Sequence, residues 1–129
     1  MDEVVLDVGS RQQVGALGED LAVAELERQG MEIIARNWRC PIGELDVIAV
    51  ETVGTRRTLV FCEVKCRTGL GFGDPLESIT EAKVRKLRQL AAQWLISEGR
   101  HANDVRLDAV GVIMLRGELP RLTHVRGIG

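Results

Sequence analysis

The chain has 129 residues, of which 45% are hydrophobic and 28% charged, and its net charge is −2. This is the make-up of one ordinary α/β-sized globular domain over residues 1–129, long enough to bury a core without disulfide or metal staples. It excludes the strongly basic footprint of a protein that coats nucleic acid, and no apolar run approaches the roughly 18 residues of a membrane span.

Residues 1–10, MDEVVLDVGS, are acidic and lack the basic start and apolar middle of a signal peptide. They are expected to be a flexible N-terminus, and the chain is expected in the cytoplasm, away from membranes. Its cysteines fit that compartment. Cys40, Cys62 and Cys66 are odd in number, form no CxxC, and lie far from both histidines, so buried thiols are expected rather than disulfides or a zinc site.

Residues 11–29 predict a helix stopped by Gly30. Val14, Leu17, Leu21 and Ala24 form one stripe, and Gly15, Glu19, Ala22, Val23 and Leu26 a second. The apolar arc is therefore wide and contains Glu19. Strands are predicted over 31–39, 42–51 and 57–67, the last two joined as a hairpin through Val53-Gly54-Thr55. Residues 68–74, TGLGFGD, carry three glycines in seven and read as a flexible loop. A long helix begins at 78–80, with Ser78 and Glu81 spaced as a capping box, and ends before Gly99. It is expected to bury Val84, Leu87, Ala91, Trp94 and Leu95. Strands at 105–115 and 121–126 complete the order αβββαββ: an α/β fold with one mixed sheet of about five strands flanked by helices.

The third strand contains a contradiction. Val60, Phe61 and Cys62 suit a buried pleat, yet Glu63 and Lys65 follow on the face that carries Phe61. With the hairpin folded about Gly54-Thr55, paired residues sum to 109, so Asp46 faces Glu63 and Glu44 faces Lys65. Directly opposed Cβ atoms lie about 4.5–5.5 Å apart, where two half-buried carboxylates raise each other's pKa. A divalent cation between them removes that penalty, and Mg²⁺ is served by one or two carboxylates plus waters. The competing reading is a plain Glu44–Lys65 ion pair with Asp46 as a cap. Glu19 alone reads as a charge at the edge of a buried stripe. Asp108, inside the apolar strand RLDAVGV, is expected to be structural, bonded to backbone or to a basic side chain.

The stretches GxxGED (15–20), NWRCPIGELDVIA (37–49), VFCEVKCR (60–67) and RLDAVGV (106–112) resemble the motifs of the YraN-like family of uncharacterised bacterial proteins, in the same order and over nearly the whole chain. The resemblance implies the restriction-endonuclease-like superfold with its PD-(D/E)xK site, similar to the archaeal Holliday-junction resolvases. It makes Asp46 the first acid, Glu63 the second, Lys65 the lysine, and Glu19 the counterpart of the resolvases' helix glutamate. Leu45 stands where the superfold's name has proline. Lys83-Val84 stands where the family's helix carries Lys-Gln.

By this resemblance Asp46, Glu63 and the Val64 backbone carbonyl would bind Mg²⁺ or Mn²⁺, with Glu19 reaching the metal through water and Lys65 beside the attacked phosphate. Lys83 is the best candidate for a phosphate contact, with Lys86, Arg67 and Arg39 as further nucleic-acid contacts, and the glycine-rich loop is expected to lie beside the site. The expected function is metal-dependent hydrolysis of phosphodiester bonds in nucleic acid, with structured or branched DNA as the expected partner. A binding module of the same fold with weak or absent catalysis is the alternative, since only Phe61, Phe72, Trp38 and Trp94 are aromatic. A protein-interaction domain using Trp94 and Leu95 is a further one, and a homodimer is left open.

Overall fold

The computed structural model describes residues 11–69 and 73–129. The expected flexible N-terminus, 1–10, and the centre of the glycine-rich loop, 70–72, lie outside the described residues. The elements are α1 (Arg11–Arg28), β1 (Glu32–Cys40), β2 (Gly43–Val53), β3 (Arg56–Arg67), a 3₁₀ turn (Pro75–Ser78), α2 (Glu81–Glu98), β4 (Asp104–Ile113) and β5 (Arg121–Val125). The order αβββαββ stands, with the 3₁₀ turn added before α2.

The five strands form one sheet in sequential order. β1, β2 and β3 are an antiparallel meander, β3 and β4 pair in parallel, and β5 returns antiparallel to β4. A parallel neighbour needs a crossover, and α2 supplies it. The sheet is thus mixed, with a helix on each face. Val47, Ala49, Val60, Cys62, Val110 and Val112 pack with Ala22 and Leu26 of α1. Ile48, Val50, Leu59, Phe61 and Leu107 pack with Leu87, Leu90, Ala91 and Trp94 of α2. Both faces being covered explains why β3 reads as a continuous apolar run before Glu63.

Two glycines matter to α1. Gly30 adopts φ 94°, and Met31 N–H returns to the Leu26 carbonyl at 3.0 Å, a left-handed stop that a side chain would resist. Gly18 faces β3 so closely that a Cβ there would collide with Cys66 Sγ. That contact sets how deeply α1 sits on the sheet.

Two local expectations need correction. The cap of α2 is Thr80, whose hydroxyl accepts Lys83 N–H at 3.2 Å. Ser78 instead donates to the Pro75 carbonyl inside the 3₁₀ turn, because that turn had already taken the chain's direction before the helix starts. Trp94 is buried as expected and meets Phe61 edge-to-face, with ring centroids 5.6 Å apart, which removes it from the interaction-domain alternative. Of the three thiols, Cys62 is buried but Cys40 and Cys66 are only half-buried.

Among the described residues no helix is long and apolar enough to cross a membrane.

Candidate functional site

The hairpin register is the one expected from Val47↔Cys62 through Val53↔Arg56, every pair summing to 109. The ladder stops there. Asp46 does not continue it. Its carboxylate crosses to β3 and accepts the backbone N–H of Val64 at 2.9 Å, taking the place of a main-chain acceptor. The main-chain pairing of the two strands therefore ends just where the acidic residues stand.

Asp46 also arrives from an unexpected side. Val47 packs on the α1 face and Leu45 on the α2 face, although residues two apart in a strand normally share a face. β1 breaks its alternation at the same level. Arg36 reaches Glu19 and Asp20 of α1, whereas Trp38 packs on the α2 side. Asn37, between them, has φ 54°.

Glu63 and Lys65 keep the alternation of β3, opposite Ala109 and Gly111 of β4. The acids meet beyond the end of the ladder rather than as partners within it. Their carboxyl groups lie within hydrogen-bonding reach of each other, and burial first, then the contact with Glu63, pushes Asp46 up from its ordinary 3.8 to about 8. The Val64 N–H and the nearby Lys65 charge pull the other way. Lys65 is half-buried, and among the described residues its ammonium has no hydrogen-bond or ion-pair partner. Glu44, assigned to Lys65 by the competing reading, pairs with Arg39 at 3.0 Å instead.

Glu19 is 9% exposed and already engaged. Its Oε1 accepts Arg36 Nε at 3.0 Å and Asn37 Nδ2 at 2.9 Å. It shares with Asp46, Asn37, Cys66 and Arg67 the wall of a cavity of about 930 Å³ between α1 and the sheet, while Glu63 and Lys65 stand outside that wall. Among the described residues no three His, Cys, Asp or Glu side chains are grouped to hold a metal ion, so the acid pair is two-membered. Burial pushes the Cys66 thiol on this wall up to about 11, which leaves it protonated and inert at neutral pH.

Of the cationic candidates, Arg67 donates to the Cys66 carbonyl at 3.1 Å on the cavity wall. Arg39 is tied to Glu44. Lys83 and Lys86 are exposed on α2, and the Lys86 stem passes beside Gly43 at the start of β2.

Asp108 belongs to a second, separate constellation. It is fully buried, holds Arg106 through two bonds of 2.7 and 2.9 Å, and takes Gly127 N–H at 3.1 Å. His124 Nε2 lies 2.8 Å from it. Burial would raise this carboxyl, but Arg106, Gly127 and His124 together hold it below the usual carboxylate range. It is a structural anchor for β5, and the partner from β5 is the histidine.

Sequence reasoning missed Arg36 and Asn37. The available signal was an asparagine inside an otherwise strand-like run, since Asn tolerates left-handed backbone better than other side chains do.

Residues 18–112 match the model of the family described as uncharacterised protein family UPF0102. Full-length relatives are similar to the chain as well. A UPF0102 protein of Mycobacterium ulcerans is 52% identical over 120 residues, 93% of this chain and 97% of the relative. One from Renibacterium salmoninarum is 47% identical over 117 residues, covering 91% and 96%. A third, from Beutenbergia cavernae, is 46% identical over 120 residues, covering 93% and 98%.

Proposed function

The chain belongs to the uncharacterised protein family UPF0102, and we propose that it acts there as a metal-dependent nuclease of restriction-endonuclease-like fold, hydrolysing phosphodiester bonds in DNA. One observation carries this reading: two carboxyls, Asp46 and Glu63, are pressed together at the open end of a hairpin, with the positive charge of Lys65 acting on them. Such an arrangement costs stability unless something positive is added.

The donor set fits Mg²⁺ or Mn²⁺. It is all hard oxygen, it offers the one or two carboxylates such ions accept, and the Val64 carbonyl is adjacent in β3. Asp46 and Glu63 would hold the ion, which when bound would acidify a water and neutralise charge on phosphate oxygens. Lys65 would donate to the attacked phosphate or to the attacking water, fixing its direction. Val64 N–H keeps Asp46 from swinging out. Lys83, Lys86 and Arg67 would contact backbone phosphates on either side, adding the salt-dependent share of affinity.

The second reading is a nucleic-acid-binding module with weak or absent catalysis. It is favoured by Glu19 being committed to Arg36 and Asn37 rather than to the acid pair. One experiment separates the two: purified protein is incubated with branched, single-stranded and duplex DNA, with Mg²⁺, with Mn²⁺ and with chelator. Metal-dependent cleavage that disappears in Asp46→Asn supports the nuclease. Shifted gel mobility without cleavage under every condition supports the binding module.

A further inference from the structure

Asn37 is the one non-glycine residue with positive φ among the described residues. It lies in the middle of β1, where nothing in strand geometry asks for a left-handed residue. The pairs on either side, Arg36↔Val47 and Trp38↔Leu45, keep one register, so Asn37 stands directly opposite Asp46. At this level, and in both strands at once, the alternation of faces breaks: Arg36 and Val47 lie toward α1, Trp38 and Leu45 toward α2. Beyond it the β2–β3 ladder ends and the Asp46 carboxylate turns to Val64.

We propose that Asn37 is the positioning residue of the acid pair: its left-handed backbone, held by Glu19, turns the β1–β2 ribbon so that Asp46 is carried across to Val64 and Glu63. Left-handed backbone in a non-glycine residue persists only where the surroundings hold it, and such strain gathers at functional sites. Here the holder is visible. Asn37 Nδ2 donates to Glu19 Oε1 at 2.9 Å, and Arg36 Nε donates to the same oxygen at 3.0 Å, which fixes two successive β1 residues to one point on α1. Glu19 thereby acts as a clamp on β1, in place of the water-mediated metal contact the resemblance implies. The importance of this for hydrolysis rests on the nuclease reading, but the positioning itself does not.

The Val64 amide reports the position of Asp46 without metal or substrate, because that carboxylate is its acceptor. Amide hydrogen exchange is measured by NMR in chelator on wild type and on Asn37→Val, Asn37→Gly, Glu19→Ala, Glu19→Gln and, as a positive control, Asp46→Ala. Asn37→Val and Glu19→Ala are expected to speed exchange at Val64 by about tenfold or more, while Val60 in the intact ladder is unchanged. Asn37→Gly, which adopts positive φ freely, and Glu19→Gln, whose Oε1 can still accept both donors, are expected to keep Val64 near wild type. Unaltered protection at Val64 in Glu19→Ala, or loss of protection in Asn37→Gly equal to that in Asp46→Ala, overturns the proposal. Should Asn37→Val not fold, the two Glu19 variants and Asn37→Gly still decide it. A protein that passes this test yet cleaves no DNA refutes the nuclease reading and leaves the positioning role intact.

Discussion

The Asp46 carboxylate accepts the Val64 N–H at 2.9 Å, so an acid of β2 is bound to the backbone of the strand that carries its rival, Glu63. This bond helps hold the two acids together, and they repel once Asp46 loses its proton near 8. It turns what would be a flaw in the sheet into a pocket of stored electrostatic energy that pH, cations and substitutions can each release.

The first consequence is a pH dependence of the metal-free protein. Asp46 titrates near 8 when folded against 3.8 ordinarily. Below 3.8 both states hold the proton and nothing is lost. Between about 4 and 8 the unfolded chain gives up a proton that the folded chain keeps, so stability falls as pH rises, and the loss is complete above about 8. In Asp46→Asn the amide oxygen still accepts Val64 N–H and the amide nitrogen donates to Glu63. This variant is expected to lack the decline and to be more stable than wild type at pH 8 by on the order of 1–3 kcal/mol. Urea unfolding in chelator from pH 4 to 9 measures both. Parallel curves for the two proteins would count against the buried acid pair.

Divalent cations should relieve the same repulsion. Mg²⁺ or Mn²⁺ at about 100 times its dissociation constant is expected to stabilise wild type by roughly 2.7 kcal/mol, with little effect on Asp46→Asn. Since the cation displaces the proton held by the pair, the stabilisation should grow from pH 6 to pH 8. Thermal melts across a metal titration test this. A wild-type melting temperature indifferent to millimolar metal at pH 8 would dispose of the metal site.

Lys65 should separate binding from chemistry. Lys65→Ala is expected to retain the metal-dependent rise in melting temperature while cleavage falls about a hundredfold or more. Cleavage assays beside melts of the same preparation give the comparison. If cleavage persists in this variant, the lysine has no part in the reaction.

Asp108 answers to a different logic. Removing it in Asp108→Ala leaves the half-buried Arg106 without its two-bond partner, and a cost of about 3–5 kcal/mol is expected. Its lowered pKa means the stabilisation is present above the ordinary carboxylate range and is lost as pH falls through the folded value, so wild type should weaken in strong acid where Asp108→Ala no longer does. Equilibrium urea unfolding at pH 7 and near pH 2–3 checks the sign. A near-neutral Asp108→Ala at pH 7 would mean the network is incidental.

The sequence displayed most of the fold, because hydrophobic periodicity and turn residues are local signals. The hairpin about Gly54-Thr55 placed seven β2–β3 pairs in their actual register. The nearness of Asp46 to Glu63 was legible from that register, and alternation along β3 put Glu63 and Lys65 on one face. Alternation also misled. It assumed that Asp46 continues the ladder, and nothing in the residues of β2 announces the break, whose origin we place on the neighbouring strand at Asn37. The roles of Glu19 and Thr80 were likewise out of reach: one depends on a partner 18 residues away, the other on a 3₁₀ turn that competes for Ser78.

The parallel pairing of β3 with β4 is also expected to order folding in time. α1 and the meander β1–β2–β3 connect through short turns and can close early, whereas β4 reaches its place only after α2 has crossed over, a long loop to close. Every residue around the acid pair, from Glu19 through Asn37 and Asp46 to Lys65, lies on the early side of that crossover. Leu87, Leu90 and Trp94 close over Phe61 from the crossover helix itself, so truncating those side chains is expected to speed unfolding more than it slows folding, while disrupting the β2–β3 turn is expected to do the opposite.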